Sequence, residues 1–144
     1  MQKIAETPFY KNAFQELNYS FGDFYLFEDF VVAEIKEGVI FNWEDHAKQV
    51  VEEITNLYED NVKNIVYISN RVHTYSVVPS DWLRFFKYSY TLKGYAVVSR
   101  GKRPILEKLF MKASMRNFVS LDKAIKWAYE LRAENNARSN RLSA

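Results

Sequence analysis

Residues 67–82, YISNRVHTYSVVPSDW, contain the side chains of this chain that are best suited to chemistry. His73 is one of only two histidines, and the hydroxyl groups of Ser76 and Ser80 follow it closely. A serine, an imidazole and a carboxylate such as Asp81, held within hydrogen-bond reach, would form a hydrolytic triad. No Gly-x-Ser-x-Gly elbow surrounds either serine. A hydrolase is therefore the least favoured of the three functions considered below.

The same stretch has the composition of a loop that joins a strand to a helix. Ser80 follows Pro79 and precedes Asp81, and a serine in that position is a typical N-cap, which stabilises a helix by about 1 kcal/mol. The free amides of a helix start also bind anions, so a phosphate or carboxylate could dock there beside Arg71. Ser76 is a further candidate as an exposed modification site. A loop and a helix cap remain the favoured interpretation.

A second polar segment, SRGKRP at residues 99–104, follows another predicted strand. The carboxyl ends of parallel strands meet at one edge of a sheet, where α/β sheets bind ligands. The segment lacks the Gly-x-x-x-x-Gly-Lys-Ser/Thr order of a nucleotide-binding loop, so no cofactor is predicted. The candidates for anion binding or partner docking are Arg71, His73, Ser76, Ser80, Arg100, Lys102 and Arg103.

Aromatic residues crowd the short helix predicted after Pro79, in greater number than a single buried face uses. Either they fill a large core, or some of them line an apolar pocket or a dimer surface. A pocket would make the protein a carrier or sensor of a small apolar or lipid-like ligand. The residues concerned are Trp82, Phe85, Phe86, Tyr88 and Tyr90.

Composition restricts the chemistry further. The chain has no cysteine, which excludes disulfides, thiol nucleophiles and thiolate metal sites. Its two histidines, His46 and His73, fall in different elements, and no spacing brings them together with acids, so no metal site is predicted. The absence of an RNA-binding aromatic motif and the modest net charge of +2 argue against nucleic acid as a partner.

Charge is distributed unevenly along the chain. Residues 1–99 carry 9 lysines and arginines against 14 acidic residues, whereas residues 100–144 carry 11 against 4. We interpret the basic third as the solvent-exposed faces of helices. The N-terminus lacks the apolar run of a secretory signal, and no window approaches the roughly 18 apolar residues of a membrane span. We therefore expect a cytoplasmic protein.

The order of elements predicts an α/β fold. Runs of aromatic and β-branched residues at 24–27 and 30–35 flank Glu28-Asp29 and indicate an antiparallel hairpin. Asn42 is a good N-cap for a helix that would be buried through Trp43, Ala47, Val50, Val51, Ile54, Leu57 and Tyr58. Strands at 64–68, 95–99 and 116–120 then alternate with helices at 80–92, 101–114 and 120–134, which implies parallel pairing.

We therefore predict a mixed β-sheet with an N-terminal antiparallel hairpin followed by βα units, about five strands and four helices in all. Residues 1–20 form an N-terminal arm in this prediction. Residues 21–133 form a single α/β domain, and residues 134–144 form a polar C-terminal tail.

The succession FVVAEIKEGVIFNWEDHAKQVVEEI, NIVYIS, WLRFF, GYAVVSRG and NFVSLDKAIKWAYEL resembles the STAS-like (SpoIIAA-like) domain family. That family includes sulfate-transporter tails and anti-sigma-factor antagonists. The resemblance covers roughly residues 24–131 and rests on element order and on an ending built from Phe118, Ser120, Asp122, Ala124 and Trp127. It implies a STAS-like fold and a non-enzymatic regulatory domain that binds a protein partner or forms a homodimer.

Two family properties bear on the candidate residues. Relatives of the Sec14 type use a region comparable to residues 81–92 as a lipid gate, which keeps the carrier open as the alternative function. In antagonists the strand equivalent to residues 64–68 ends in an Asp-Leu-Ser type sequence, and a phosphorylated serine follows a few residues later in an Asp-Ser-Ser-Gly sequence. Here Ser69 matches the serine that ends the strand, but Tyr67 stands at the acidic position and the loop lacks the Asp-Ser pair and the glycine. This departure argues against such a phosphorylation switch.

Overall fold

A six-stranded mixed sheet is the centre of the fold. The computed structural model describes residues 1–78, 81, 92–100 and 114–143, without the side chains of Asp60, Ser114 and residues 135–143. Within these ranges the strands are β1 (Gln15–Tyr19), β2 (Gly22–Leu26), β3 (Phe30–Ile35), β4 (Ile40–Phe41), β5 (Val66–Asn70), β6 (Ser76–Val77), β7 (Gly94–Val98) and β8 (Ser114–Phe118). The sheet order is β1-β2-β3-β5-β7-β8, and β4 and β6 form a separate pair.

The strand directions confirm a mixed α/β sheet with an N-terminal antiparallel hairpin. β2 and β3 pair antiparallel, with Gly22 opposite Ile35. β3, β5, β7 and β8 then pair in parallel, as expected for strands joined by long connections. β3 therefore joins the antiparallel part of the sheet to the parallel part, since it pairs antiparallel with β2 and parallel with β5.

β1 makes the sheet one strand wider than the five predicted. It lies within residues 1–20 and pairs antiparallel with β2 along its whole length. Leu17 is buried in β1, whereas Gln15 and Asn18 are exposed, which is typical of a half-buried edge strand. The residues before it form two short 3₁₀ turns, Ile4–Glu6 and Pro8–Asn12.

The first helix begins at the predicted cap. The Asn42 side-chain oxygen accepts a hydrogen bond from the Asp45 amide at 2.8 Å. One π-helical turn, Trp43–Ala47, precedes α1 (Lys48–Tyr58). The predicted inner residues are buried or partly buried, except Leu57, which is 42% exposed. The buried residues of α1 recur at four-residue steps, so Leu57 falls at the edge of the buried face.

The last helix, α2 (Leu121–Ser143), is 23 residues long and continues through the predicted polar tail. Residues 121–143 contain no glycine or proline, and most of them are compatible with a helix. The side that packs on the sheet consists of Leu121, Ala124, Ile125, Trp127 and Ala128. Arg132 forms an ion pair with Asp29 in the β2–β3 turn, which ties the helix to the hairpin.

Helices cover both faces of the sheet. Phe30 and Val32 of β3 pack on the α2 side, and Val31 and Ala33 pack on the α1 side. All six residues of β3 are buried, as the nearly continuous apolar sequence of a central strand predicts.

Two of the four predicted helices, at 80–92 and 101–114, fall almost entirely outside the described residues. The candidate site residues that lie outside the described part of the chain are Ser80, Trp82, Phe85, Phe86, Tyr88, Tyr90, Lys102 and Arg103. Among the helices of the described ranges, none combines the length and the apolar character that crossing a bilayer requires.

Candidate functional site

Residues 71–78, here called the edge loop, follow β5 at the carboxyl edge of the parallel strands. The edge loop contains three of the four candidate residues that the structure describes: Arg71, His73 and Ser76. The Arg71 amide donates to the Val98 carbonyl at 2.9 Å, and the Ser76 amide donates to the Val39 carbonyl at 2.9 Å. β6 lies within the loop and pairs in parallel with β4. Main-chain hydrogen bonds therefore hold the loop at both of its ends.

Glu37 holds the tip of the edge loop. Its carboxylate accepts a hydrogen bond from the Thr74 amide at 2.7 Å, and the Gly38 amide donates to the Thr74 carbonyl at 2.8 Å. Gly38 has φ of 77°, a conformation that glycine adopts without strain. His73 Nδ1 lies 3.9 Å from Glu37 Oε2. The β3–β4 turn therefore fixes the loop through both main chain and side chain.

Ser69, at the penultimate position of β5, forms a partly buried polar cluster with Arg71 and Tyr75 of the edge loop. Its hydroxyl lies 3.0 Å from the Tyr75 hydroxyl and accepts a hydrogen bond from Arg71 Nε at 3.2 Å. The Arg71 guanidinium carbon lies 5.5 Å from the centre of the Tyr75 ring. Ser69 is only 3% exposed. The Ser69 hydroxyl is thus engaged inside the structure.

The described residues of the edge loop do not assemble a hydrolytic triad. His73 Nδ1 faces Glu37, and Ser76 belongs to the pairing of β4 with β6, where its main-chain amide donates to the Val39 carbonyl. Ser80, the other candidate nucleophile, lies outside the described residues. What the geometry provides is a fixed, partly exposed surface, with an imidazole beside a carboxylate.

Asp81, the acid considered for that triad, has a different role. Its Oδ2 accepts a hydrogen bond from the Trp43 amide at 2.8 Å. Amides in the first turn of a helix lack partners within the helix, and Asp81 supplies one. The carboxylate is therefore committed to the start of the first helix.

Arg100 is exposed just beyond the end of β7. Its neighbour Ser99 continues the sheet, since the Ser99 amide donates to the Phe118 carbonyl at 3.0 Å. Arg71 and Arg100 thus follow adjacent parallel strands, as predicted. The other two basic candidates of this edge lie outside the described residues.

A buried polar pair that the sequence analysis did not single out lies at the same edge, on the α2 side of the sheet. Glu34 Oε2 accepts hydrogen bonds from Asn70 Nδ2 and from the Ile4 amide, both at 2.8 Å. Asn70 Nδ2 also donates to the Gln2 carbonyl at 3.0 Å. Burial raises the pKa of the Glu34 carboxyl above its ordinary value, against the opposing effect of the two hydrogen bonds. The signal in the sequence was a glutamate inside the apolar run FVVAEI.

His46 is held in its neutral form. Its Nδ1 accepts a hydrogen bond from the Asn42 amide at 3.0 Å, which requires an unprotonated nitrogen. The ring stacks on Phe41 at 5.4 Å between centroids and lies 4.6 Å from the Phe21 ring. Burial lowers the pKa of His46. This histidine is therefore a structural element of the helix start.

An open groove of about 390 Å³ runs along α1. The groove is open to solvent, and four of its six lining residues are charged or polar, which differs from the predominantly apolar, enclosing lining of a lipid-binding cavity. Its lining residues are Trp43, Lys48, Val51, Glu52, Thr55 and Asn56. The aromatic residues proposed to line an apolar pocket or dimer surface lie outside the described part of the chain.

Metal ligation finds no support in the described ranges, where no group of three or more histidine, aspartate or glutamate side chains is placed to hold an ion.

Comparison with known proteins does not assign the chain to a family. No protein-family model matches the chain, and no curated protein matches its sequence.

Proposed function

We propose that this chain is a non-enzymatic, STAS-like regulatory domain that acts by binding a protein partner through the edge loop. The observation that carries the proposal is the double fixation of that loop, by the pairing of β4 with β6 and by the hydrogen bond from the Thr74 amide to Glu37. A loop held in one shape loses little conformational entropy on binding, which favours its use as a docking surface.

The chemistry of the loop supports recognition in preference to turnover. Thr74 and Ser76 are exposed, and His73 is partly exposed beside the carboxylate of Glu37. These groups donate and accept hydrogen bonds at the rim of a surface, where polar residues specify a partner. Arg100 adds a positive charge on the neighbouring connection, so a partner with an acidic segment complements this edge.

The element order supports the STAS-like part of the proposal. An antiparallel hairpin leads into parallel strands, and a capped helix crosses from β3 toward β5. The resemblance described above implies the same order.

The proposal is tested by quantitative affinity capture from the native host, using the full chain and two arginine variants. Ser76→Arg changes the exposed face of the edge loop, whereas Gln15→Arg makes the same kind of change on the exposed face of β1, at the far side of the sheet. We expect a protein that is retained by the wild-type and Gln15→Arg chains and lost with Ser76→Arg. Equal capture by both variants would contradict docking through the edge loop.

A further inference from the structure

Residues 1–13, the part of the predicted N-terminal arm that precedes β1 and is called the arm from here on, are held by side chains that contact their main chain. The Gln2 carbonyl accepts a hydrogen bond from Asn70 Nδ2, and the Ile4 amide donates to Glu34 Oε2. Lys3 lies between Gln2 and Ile4 and has an extended backbone, with φ of −79° and ψ of 151°. In extended backbone the carbonyl of one residue and the amide two residues later point to the same side. Glu34 and Asn70, here called the clamp, therefore recognise an extended peptide backbone.

The clamp is built into the interior of the protein. Glu34 is 5% exposed and Asn70 is 1% exposed. They stand at the carboxyl ends of β3 and β5, which are adjacent and parallel. Buried carboxylates and amides require hydrogen-bond partners, and in this protein the arm supplies two of them. The clamp lies on the side of the sheet that α2 covers, so it is separate from the edge-loop surface proposed above.

Ile4 provides the side-chain part of the recognition. It is fully buried among apolar residues of the α2 side, where Phe9 and Ala13 of the arm also pack in part. A main-chain clamp beside an apolar socket is the arrangement by which proteins bind extended peptides: hydrogen bonds give affinity, and the socket selects one side chain.

The clamp is not fully used by the arm of its own chain. Asn70 Oδ1 is buried and has no hydrogen-bond donor among the described residues. An asparagine side chain can pair with the carbonyl and the amide of one peptide residue at the same time. Here Asn70 Nδ2 donates to the Gln2 carbonyl and to Glu34, and Oδ1 does not accept from the Gln2 amide. An arm that is not tied to β1 of the same chain is free to place its Gln2 amide against Oδ1 and complete the pairing.

We propose that the clamp and the Ile4 socket form a peptide-binding site that takes the N-terminal arm of a second copy of this chain. The occupant follows from the structure, because the sequence Gln2-Lys3-Ile4 already fits the site. The arm consists of two short 3₁₀ turns, and it can leave without breaking a strand or helix. Exchange of arms between two copies yields a dimer in which each copy contributes residues to the site of the other.

The binding site is tested with the full-length Ile4→Asp variant and a fluorescent peptide of residues 1–9. The variant keeps the clamp but places a charge in the socket position of its own arm, which releases the arm. We expect saturable binding of the peptide to Ile4→Asp and binding at least about ten-fold weaker to the wild-type chain, whose own arm competes. The matched peptide with Ile4→Asp should not bind. Asn70→Ala in the Ile4→Asp background should weaken binding by about ten-fold or more.

Two results would overturn the site: equal binding of both peptides, or binding that is indifferent to Asn70→Ala. Ile4→Ala, which keeps every main-chain donor and acceptor, serves as the second variant if circular dichroism shows that Ile4→Asp is unfolded. For exchange itself, native mass spectrometry of mixed ¹⁵N-labelled and unlabelled wild-type chains should show mixed dimers at high concentration, and Ile4→Asp should abolish them. A wild-type chain that stays monomeric at millimolar concentration, or a dimer that survives Ile4→Asp, would exclude arm exchange.

Discussion

Asp81 Oδ2 accepts a hydrogen bond from the main-chain amide of Trp43 at 2.8 Å, across 38 residues of sequence. The carboxylate caps a helix that belongs to a different part of the chain, and negative charge at a helix start is favoured by the helix dipole. The Asp81 amide donates to the Val78 carbonyl at 3.1 Å, so Asp81 connects the last residue of the edge loop to the start of the first helix.

Removal of this cap should destabilise the fold measurably. We expect Asp81→Ala to lower the free energy of unfolding by about 1 kcal/mol, because the Trp43 amide loses its acceptor. Urea denaturation followed by tryptophan fluorescence measures the change. Glu130→Ala, at an exposed position of α2, is the matched control and should have little effect. Equal losses for both variants would show that Asp81 does not act as a cap.

Protonation of His46 should weaken the start of the first helix. Burial lowers the pKa of His46 below its ordinary value of 6.5. The contribution of His46 to stability should therefore be fully present above pH 6.5 and be lost as the pH falls through the lower pKa of the folded state. His46→Gln, which keeps an acceptor for the Asn42 amide, should remove that part of the pH dependence. His73→Gln is the control. Denaturation curves between neutral pH and about pH 5 distinguish the variants.

Glu34 should give a pH dependence of the opposite sign. Its pKa is raised from 4.5 by burial, so its contribution to stability is fully present below 4.5 and is lost as the pH rises through the folded-state pKa. We expect Glu34→Gln to remove this dependence, because a single amide oxygen can accept both hydrogen bonds that Oε2 receives. Glu34→Leu leaves the Ile4 amide and one N–H of the Asn70 side chain without an acceptor and should cost about 1–3 kcal/mol per group. A Leu variant as stable as the Gln variant would contradict the role of the carboxyl oxygen.

The ion pair between Arg132 and Asp29 should contribute little to stability. The Arg132 side chain is 44% exposed and the Asp29 side chain is 12% exposed, and an ion pair that stays open to solvent on one side is expected to contribute about 1 kcal/mol or less. A double-mutant cycle with Arg132→Ala and Asp29→Ala measures the coupling, which should fall as salt is added. A coupling above 1 kcal/mol that is insensitive to salt would show that solvent does not screen the pair.

The parallel part of the sheet was predictable because β5 and β7 are short apolar runs buried on both faces. Asn42 was predictable as a helix cap because capping depends on a residue and its next three neighbours. β1 was not, since its sequence QELNY has a single buried apolar residue. Its strand state depends on pairing with β2, and tertiary pairing overrides weak local preference.

The candidate site was predictable only where it follows from strand ends. Arg71 and Arg100 lie at one edge of the sheet because parallel strands align their carboxyl ends. The clamp joins Glu34 to Asn70 across 36 residues and to an arm at the chain terminus, and no local pattern encodes such a meeting. The role of Asp81 escaped for the same reason, because its partner lies in another element.

The place of β3 between the antiparallel and the parallel strands suggests an order in which the strands pair during folding. β1, β2 and β3 form a meander whose partners are close in sequence, and hairpins of this kind assemble on the microsecond timescale. β5, β7 and β8 each require a long crossover before they pair, which slows their addition. We therefore expect the meander to form before the parallel strands pair with it, and substitutions that weaken the meander should slow refolding more than those in β8.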